Sequence, residues 1–95
     1  MDILKQITGA IDYIERNLNS EIDFAEIARI ACVTQDSFMR FFSYMTGMSV
    51  KEYIRCRRMT LAAFELQNSG DKIIDVAVKY GYESGEAFSR AFFKQ

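Results

Sequence analysis

"ACVTQDSFMRFF", residues 31–42, and "YGYESGEAFSRAF", residues 80–92, decide how this chain folds, because they write one local plan twice. In each, an apolar helical run meets a turn, a hydroxyl residue follows, and a new helical run begins. The first copy turns at Cys32 and restarts at Thr34, while the second turns at Gly81 and restarts at Ser84. A serine or threonine at such a point accepts a hydrogen bond from an amide two or three residues on, which starts a helix. Each new run then carries Phe-x-Arg-x-Phe, so that Phe38 and Phe88, Arg40 and Arg90, and Phe42 and Phe92 are each 50 residues apart. Before the turn, Ile27 and Val76, and Ala28 and Ala77, are 49 apart. The slip of one residue falls in the turn, where an insertion costs least.

The rest of the chain reads as helix in the same way. Leu4, Ile7, Ile11, Ile14 and Leu18 recur at spacings of three and four, the stripe of an amphipathic helix that Asn19 and Ser20 end. Asp23 with Glu26 resembles a capping box ahead of Phe24, Ile27, Ala28 and Ala31. The helix capped by Thr34 is expected to turn Phe38, Phe41, Phe42 and Met45 inward and to stop at Gly47. Ser49 with Glu52 makes a second capping box and opens a longer helix to about Asn68, with Val50, Ile54, Arg57, Leu61 and Phe64 as its stripe. "NSGD", residues 68–71, breaks the chain; Ile73, Val76, Ala77 and Tyr80 give another short helix, and Ser84 caps the last. No segment alternates strictly between apolar and polar residues, so the fold class is all-α.

Composition excludes several functions. With 95 residues, 49% of them hydrophobic and 26% charged, the chain can bury a core and is not disordered. No apolar run approaches the roughly 20 residues of a membrane helix, and the amino end lacks a signal-peptide pattern, which predicts a cytoplasmic protein without a membrane partner. Cys32 and Cys56 are far apart and there is no histidine, so both cysteines are read as reduced, with no metal site, no cofactor and no Cys–His nucleophile. Nothing resembles a catalytic constellation, and the chain is read as no enzyme. Net charge is −1, but residues 1–39 hold three bases against seven acids while residues 40–95 hold nine against six. That polarity lets one surface face an anion.

Short helix, tight turn, longer helix is the helix-turn-helix plan, whose second helix enters the DNA major groove. Phenylalanines at these spacings also suit a plain helical bundle. Arg40 and Arg90 favour the first reading, since each lies two residues from core phenylalanines on either side and so points outward.

The segments "DFAEIARIACVTQDSFMRFFSYMTGMSVKEYIRCRRMTLAAFEL", residues 23–66, and "IIDVAVKYGYESGEAFSRAFFK", residues 73–94, resemble the DNA-binding domain of AraC/XylS-type bacterial transcription regulators. The likeness covers roughly residues 4 to 94 and is most specific in "TGMS…YIR.RR" and "DVA…YGYES…FSRAF". It implies two homeodomain-like helical subdomains, residues 1–48 and 69–95, joined by a linker helix over 49–68. It further implies recognition helices over about 35–46 and 85–94. Carried over residue by residue, it has Asp36, Met39 and Arg40, and Gly85, Glu86, Ser89 and Arg90, facing base edges. Thr34, Lys51, Arg55, Arg58, Ser84 and Lys94 are then candidates for the DNA backbone. A linker of twenty residues spans about 30 Å, close to the ~34 Å between successive major-groove faces. Double-stranded DNA is thus the expected partner of a monomeric domain, with RNA polymerase a further candidate. A small-molecule effector would act only through another domain.

Three departures carry expectations. Where the family often has glycine this chain has Cys32, which is strained by about 1–2 kcal/mol if its φ is positive. Asp36 and Glu86 put acids on base-facing turns, where they can accept from the cytosine amino group or simply cap a helix. The sequence stops at Gln95, ahead of the family's usual closing segment, and is read as a truncated piece. On the linker, Arg57 is expected to serve structure, with Asp75 a candidate partner. The rival function is a helical protein-interaction module, which needs aromatics such as Phe41, Tyr44, Tyr82 or Phe93 exposed as a patch.

Overall fold

The computed structural model describes residues 2–68, 70 and 72–94, with side chains as far as Ala91 at the carboxyl end. Six helices follow one another: α1 Ile3–Arg16, α2 Phe24–Ala31, α3 Gln35–Thr46, α4 Val50–Asn68, α5 Ile73–Lys79 and α6 Gly85–Lys94. No strand occurs among the described residues, and none of the helices is long and apolar enough to cross a membrane. The chain divides into two units, residues 1–54 and 55–95, with the division inside α4. Ser69, Asp71 and Gln95, and the side chains of Phe92, Phe93 and Lys94, lie outside the described residues, and with them the readings made for those positions.

Caps set the helix starts where the sequence placed them. Asp23 Oδ1 accepts from the Ala25 amide at 2.9 Å, Thr34 Oγ1 from Ser37 at 3.1 Å, Ser49 Oγ from Glu52 at 3.0 Å and Ser84 Oγ from Ala87 at 3.0 Å. Asp2 does the same for α1, accepting from Lys5 at 3.3 Å. Each such bond satisfies an amide that helix geometry leaves without a partner, worth about 1 kcal/mol.

In the first unit the core is Ala10, Ile14, Leu18, Ile22, Ile27, Ala28, Ala31, Phe38, Phe42, Val50 and Ile54. The ring of Phe42 meets Phe38 at 6.0 Å and Tyr53 edge-on at 5.4 Å. Tyr53 donates its hydroxyl to Glu15 of α1 at 2.7 Å, and Tyr13 accepts from the Asp23 amide at 3.2 Å. Three residues of the expected stripes are not inside: Leu4 is 78% exposed, Met45 63% and Phe41 40%. Leu4 lies in the first turn of α1, and Met45 lies in the last turn of α3, farthest along that helix from the turn that joins it to α2.

The second unit is smaller. Met59, Ala62, Val76, Ala77, Tyr80 and Phe88 form its core, with Leu61, Leu66, Tyr82 and Ala91 half-buried against them. From α4 this unit takes Met59 and Ala62, whereas Phe64 is 62% exposed. Of the stripe counted forward from Val50, Leu61 still packs against the second core while Phe64 does not, and the buried residues this unit draws from α4 lie off that stripe. Arg57 is half-buried as expected, but Asp75 stands exposed in the first turn of α5.

The duplicated turn is duplicated in atomic detail. In the first copy the Val33 amide donates to Ala28 O at 3.2 Å, and in the second the Tyr82 amide donates to Ala77 O at 2.9 Å. The residue just before is left-handed in both, Cys32 at φ 60° and Gly81 at φ 88°. This is the bond pattern that ends a helix by turning the chain, and it favours glycine. Cys32 is the non-glycine residue with positive φ among those described, so the expected strain is present. Cys32→Gly is therefore expected to stabilise the first unit by about 1 kcal/mol, the relief of strain exceeding glycine's entropic cost. Gly81→Ala should destabilise the second by about 1–2 kcal/mol, purely through backbone strain, since an added Cβ meets nothing within 4 Å. Urea midpoints of the two variants, moving in opposite directions, check both statements.

Candidate nucleic-acid interface

Each duplicated turn delivers a helix whose buried face is short and whose outer face is polar. In α3, Phe38 and Phe42 are buried while Gln35, Asp36, Ser37, Arg40 and Ser43 are exposed, with Met39 half-buried between the two faces. In α6, Phe88 is 1% exposed and meets Tyr82 edge-on at 5.3 Å, which fixes the helix against its own turn. Glu86 and Arg90 then lie outward, with Gly85 and Ser89 half-buried beside them. Of the seven base-reading candidates, the fully exposed ones are the charged residues.

The two outward arginines differ. Arg40 donates through Nε to Asp36 Oδ2 at 3.1 Å, and its Nη2 bonds the same oxygen, so the pair is a two-donor clamp one helical turn long. Both side chains remain largely exposed, at 79% and 71%, so this pair adds little to stability. Arg90 and Glu86 have the same four-residue spacing yet form no ion pair among the described residues. The i, i+4 spacing of Asp36 and Arg40 was visible in the sequence, but the clamp was not anticipated.

The backbone candidates also resolve into different situations. Thr34 and Ser84 use their hydroxyl oxygens as caps, and the Thr34 hydroxyl also bonds that of Ser37 at 2.9 Å. Each thereby occupies one of the free amides at the amino end of its helix. Lys51 and Arg55 are exposed and Arg58 is half-buried. Burial pushes the Tyr82 phenol up, and the positive charges of Arg55 and Arg58 pull it partly back. Tyr82 itself is half-buried, part of the core and not of an aromatic patch.

Sequence reasoning missed the polar anchor beneath the second turn. Glu65 of α4 accepts from Lys79 Nζ at 2.8 Å and from the Tyr80 hydroxyl at 2.5 Å. These two partners hold the Glu65 carboxyl below the usual glutamate range, that with Lys79 having the larger effect. Burial first, and the neighbouring carboxylate second, pushes Tyr80 up to about 12. The helical stripe gave Tyr80 as core, but only tertiary packing brings an acid fifteen residues away to its hydroxyl.

A family model described as "Helix-turn-helix domain" matches residues 27–95. The chain is 39% identical over 90 residues to the uncharacterized HTH-type transcriptional regulator YbfP of Bacillus subtilis, covering 95% of this chain and 30% of that protein. It is 34% identical over 86 residues to the multiple antibiotic resistance protein MarA of Escherichia coli, covering 90% of this chain and 68% of MarA. Among solved structures, the DNA-binding domain of the global transcriptional factor AdpA, in complex with a target DNA, superposes with a TM-score of 0.77 at 23% identity, covering 96% of this chain and 81% of that one.

Proposed function

The chain belongs to the AraC/XylS-type helix-turn-helix family of transcription regulators, and we propose that it binds double-stranded DNA sequence-specifically, with α3 and α6 as its two major-groove readers. The observation that carries this reading is the repeated turn, left-handed at Cys32 and Gly81, which delivers one capped helix with one outward arginine in each unit. An all-helical fold shared with AdpA, whose domain is seen on a target DNA, supports DNA as the partner. No catalytic role belongs to this reading.

Within it, Arg40 and Arg90 read base edges through the fork of N–H groups that matches guanine O6 and N7. Asp36, Met39, Gly85, Glu86 and Ser89 line the same two surfaces, and Gly85 contributes close approach of backbone. Thr34 and Ser84 present helix amino termini to phosphate, while Lys51, Arg55, Arg58 and Lys94 neutralise it.

Arg90→Ala is expected to weaken binding to the cognate duplex by about 1–3 kcal/mol and to flatten base preference at one position. Arg58→Ala should weaken cognate and scrambled DNA alike and reduce the slope of log affinity against log salt by about one unit. Equal losses on both duplexes for Arg90→Ala, with base preference intact, would make Arg90 a phosphate contact and remove α6 as a reader.

One observation favours protein binding as a second role. On α3, Tyr44 is 87% exposed and Met45 63%, with Phe41 at 40%. A salt titration separates the two roles, because phosphate contacts lose affinity steeply with salt and an apolar contact does not.

A further inference from the structure

The clamp between Asp36 and Arg40 leaves a particular set of groups facing outward. Arginine carries five N–H donors and a carboxylate only acceptors. Nε–H and one N–H of Nη2 go to Asp36 Oδ2. That leaves the Nη1 donors and the outer N–H of Nη2, side by side at the tip of the guanidinium. Asp36 Oδ1 has no partner among the described residues. The pair therefore presents a donor edge and an acceptor next to each other, and neither needs the other to be released.

We propose that Asp36 and Arg40 act as one reading unit, selecting a guanine for the arginine and an adjacent cytosine for the aspartate. This rests on the DNA-reading role proposed for α3 and names the bases that role selects. The choice of cytosine follows from the acceptor-only chemistry of a carboxylate. In the major groove guanine shows two acceptors and thymine an acceptor and a methyl, so both repel Oδ1. Adenine offers its amino group, but with the N7 acceptor beside it. Cytosine carries no acceptor of its own on that edge and has only the paired guanine O6 beside its amino group, whereas adenine's amino group lies between N7 and thymine O4. Asp36 is thus a specificity-determining residue that rejects three bases of four, whereas Arg90, without a clamp among the described residues, keeps its whole fork. The first unit is the more selective reader and the second the more permissive.

The test selects duplexes from a randomised library with the 95-residue chain and with Asp36→Asn, an exposed and nearly isosteric change. Wild type should enrich guanine next to cytosine in the half read by α3. Asp36→Asn should keep the guanine and lose the cytosine. A second measurement changes only the DNA: replacing that C·G pair by T·A, which exchanges the amino group for a carbonyl, should weaken wild type by roughly tenfold and Asp36→Asn by much less. An unchanged cytosine preference in Asp36→Asn, or equal losses for the two proteins on the T·A duplex, overturns the proposal while leaving DNA reading intact. If wild type enriches no sequence at all, the DNA-reading role itself fails, and this inference with it.

Discussion

Phe88→Ala is expected to remove about 3–5 kcal/mol from the second unit, enough to unfold it. Phe88 is 1% exposed and is the largest fully buried side chain of a core that otherwise consists of Met59, Ala62, Val76, Ala77 and Tyr80. Its ring also holds Tyr82 edge-on, so its loss frees the turn that aims α6. The second unit, residues 55–95, is at the size where a hydrophobic core alone is marginal. The first unit buries more, with Ile14, Leu18, Ile27 and Val50 all at 2% exposure or less alongside Phe38 and Phe42. Amide exchange on the variant should show α5 and α6 open while α1, α2 and α3 keep their protection. The wild type should show the same order in milder form, α6 opening before α3. Protection lost evenly across both units would mean that they fold as one, and the division at residue 54 would carry no energetic meaning.

The next largest effect is alkaline. With its folded pKa pushed up to about 12, Tyr80 keeps its proton in the fold where the unfolded chain gives it up near 10. The neutral phenol is thus favoured by folding, so its contribution is complete below about pH 10 and lost as pH rises towards 12. Two pKa units correspond to roughly 3 kcal/mol. Stability of the second unit should fall steeply across that window, and tyrosinate absorbance should show Tyr80 ionising with unfolding. Tyr80→Phe should be less stable at pH 8, having lost the bond to Glu65, but should depend less on pH above 10. Part of the remaining slope belongs to Tyr82, also raised by burial. At the acid end the sign reverses. Glu65 is held low by Lys79 and Tyr80, so its contribution is present above the ordinary glutamate range and is lost as pH falls below it. A Tyr80→Phe variant with an unaltered alkaline limb would show that the hydroxyl–carboxylate bond does not govern this pH dependence.

What the sequence by itself determined was everything local. Capping residues carry their own instruction, and Asp23, Thr34, Ser49 and Ser84 cap where their spacing said they would. The echo between residues 31–42 and 80–92 gave the two turns, the outward arginines and the buried Phe38 and Phe88, because helical rotation alone fixes those directions. Cys32 drew notice only through the family resemblance, which often has glycine there, and the structure supplied the left-handed φ that makes the position strained. Tertiary structure decided what periodicity cannot see. An apolar stripe says which face of a helix can be buried, not how far a partner extends along it, so Leu4, Met45 and Phe64 lie exposed at the ends of stripes that looked continuous. It also chose Met59 and Ala62 as buried members of the second unit's share of α4, and it brought Glu65 to Lys79 and Tyr80 across fourteen and fifteen residues. The Asp36–Arg40 clamp stands between these cases. The spacing permits it, as it equally permits one between Glu86 and Arg90, and only the folded side chains show that the first closes, since a surface ion pair is worth too little for spacing alone to decide it.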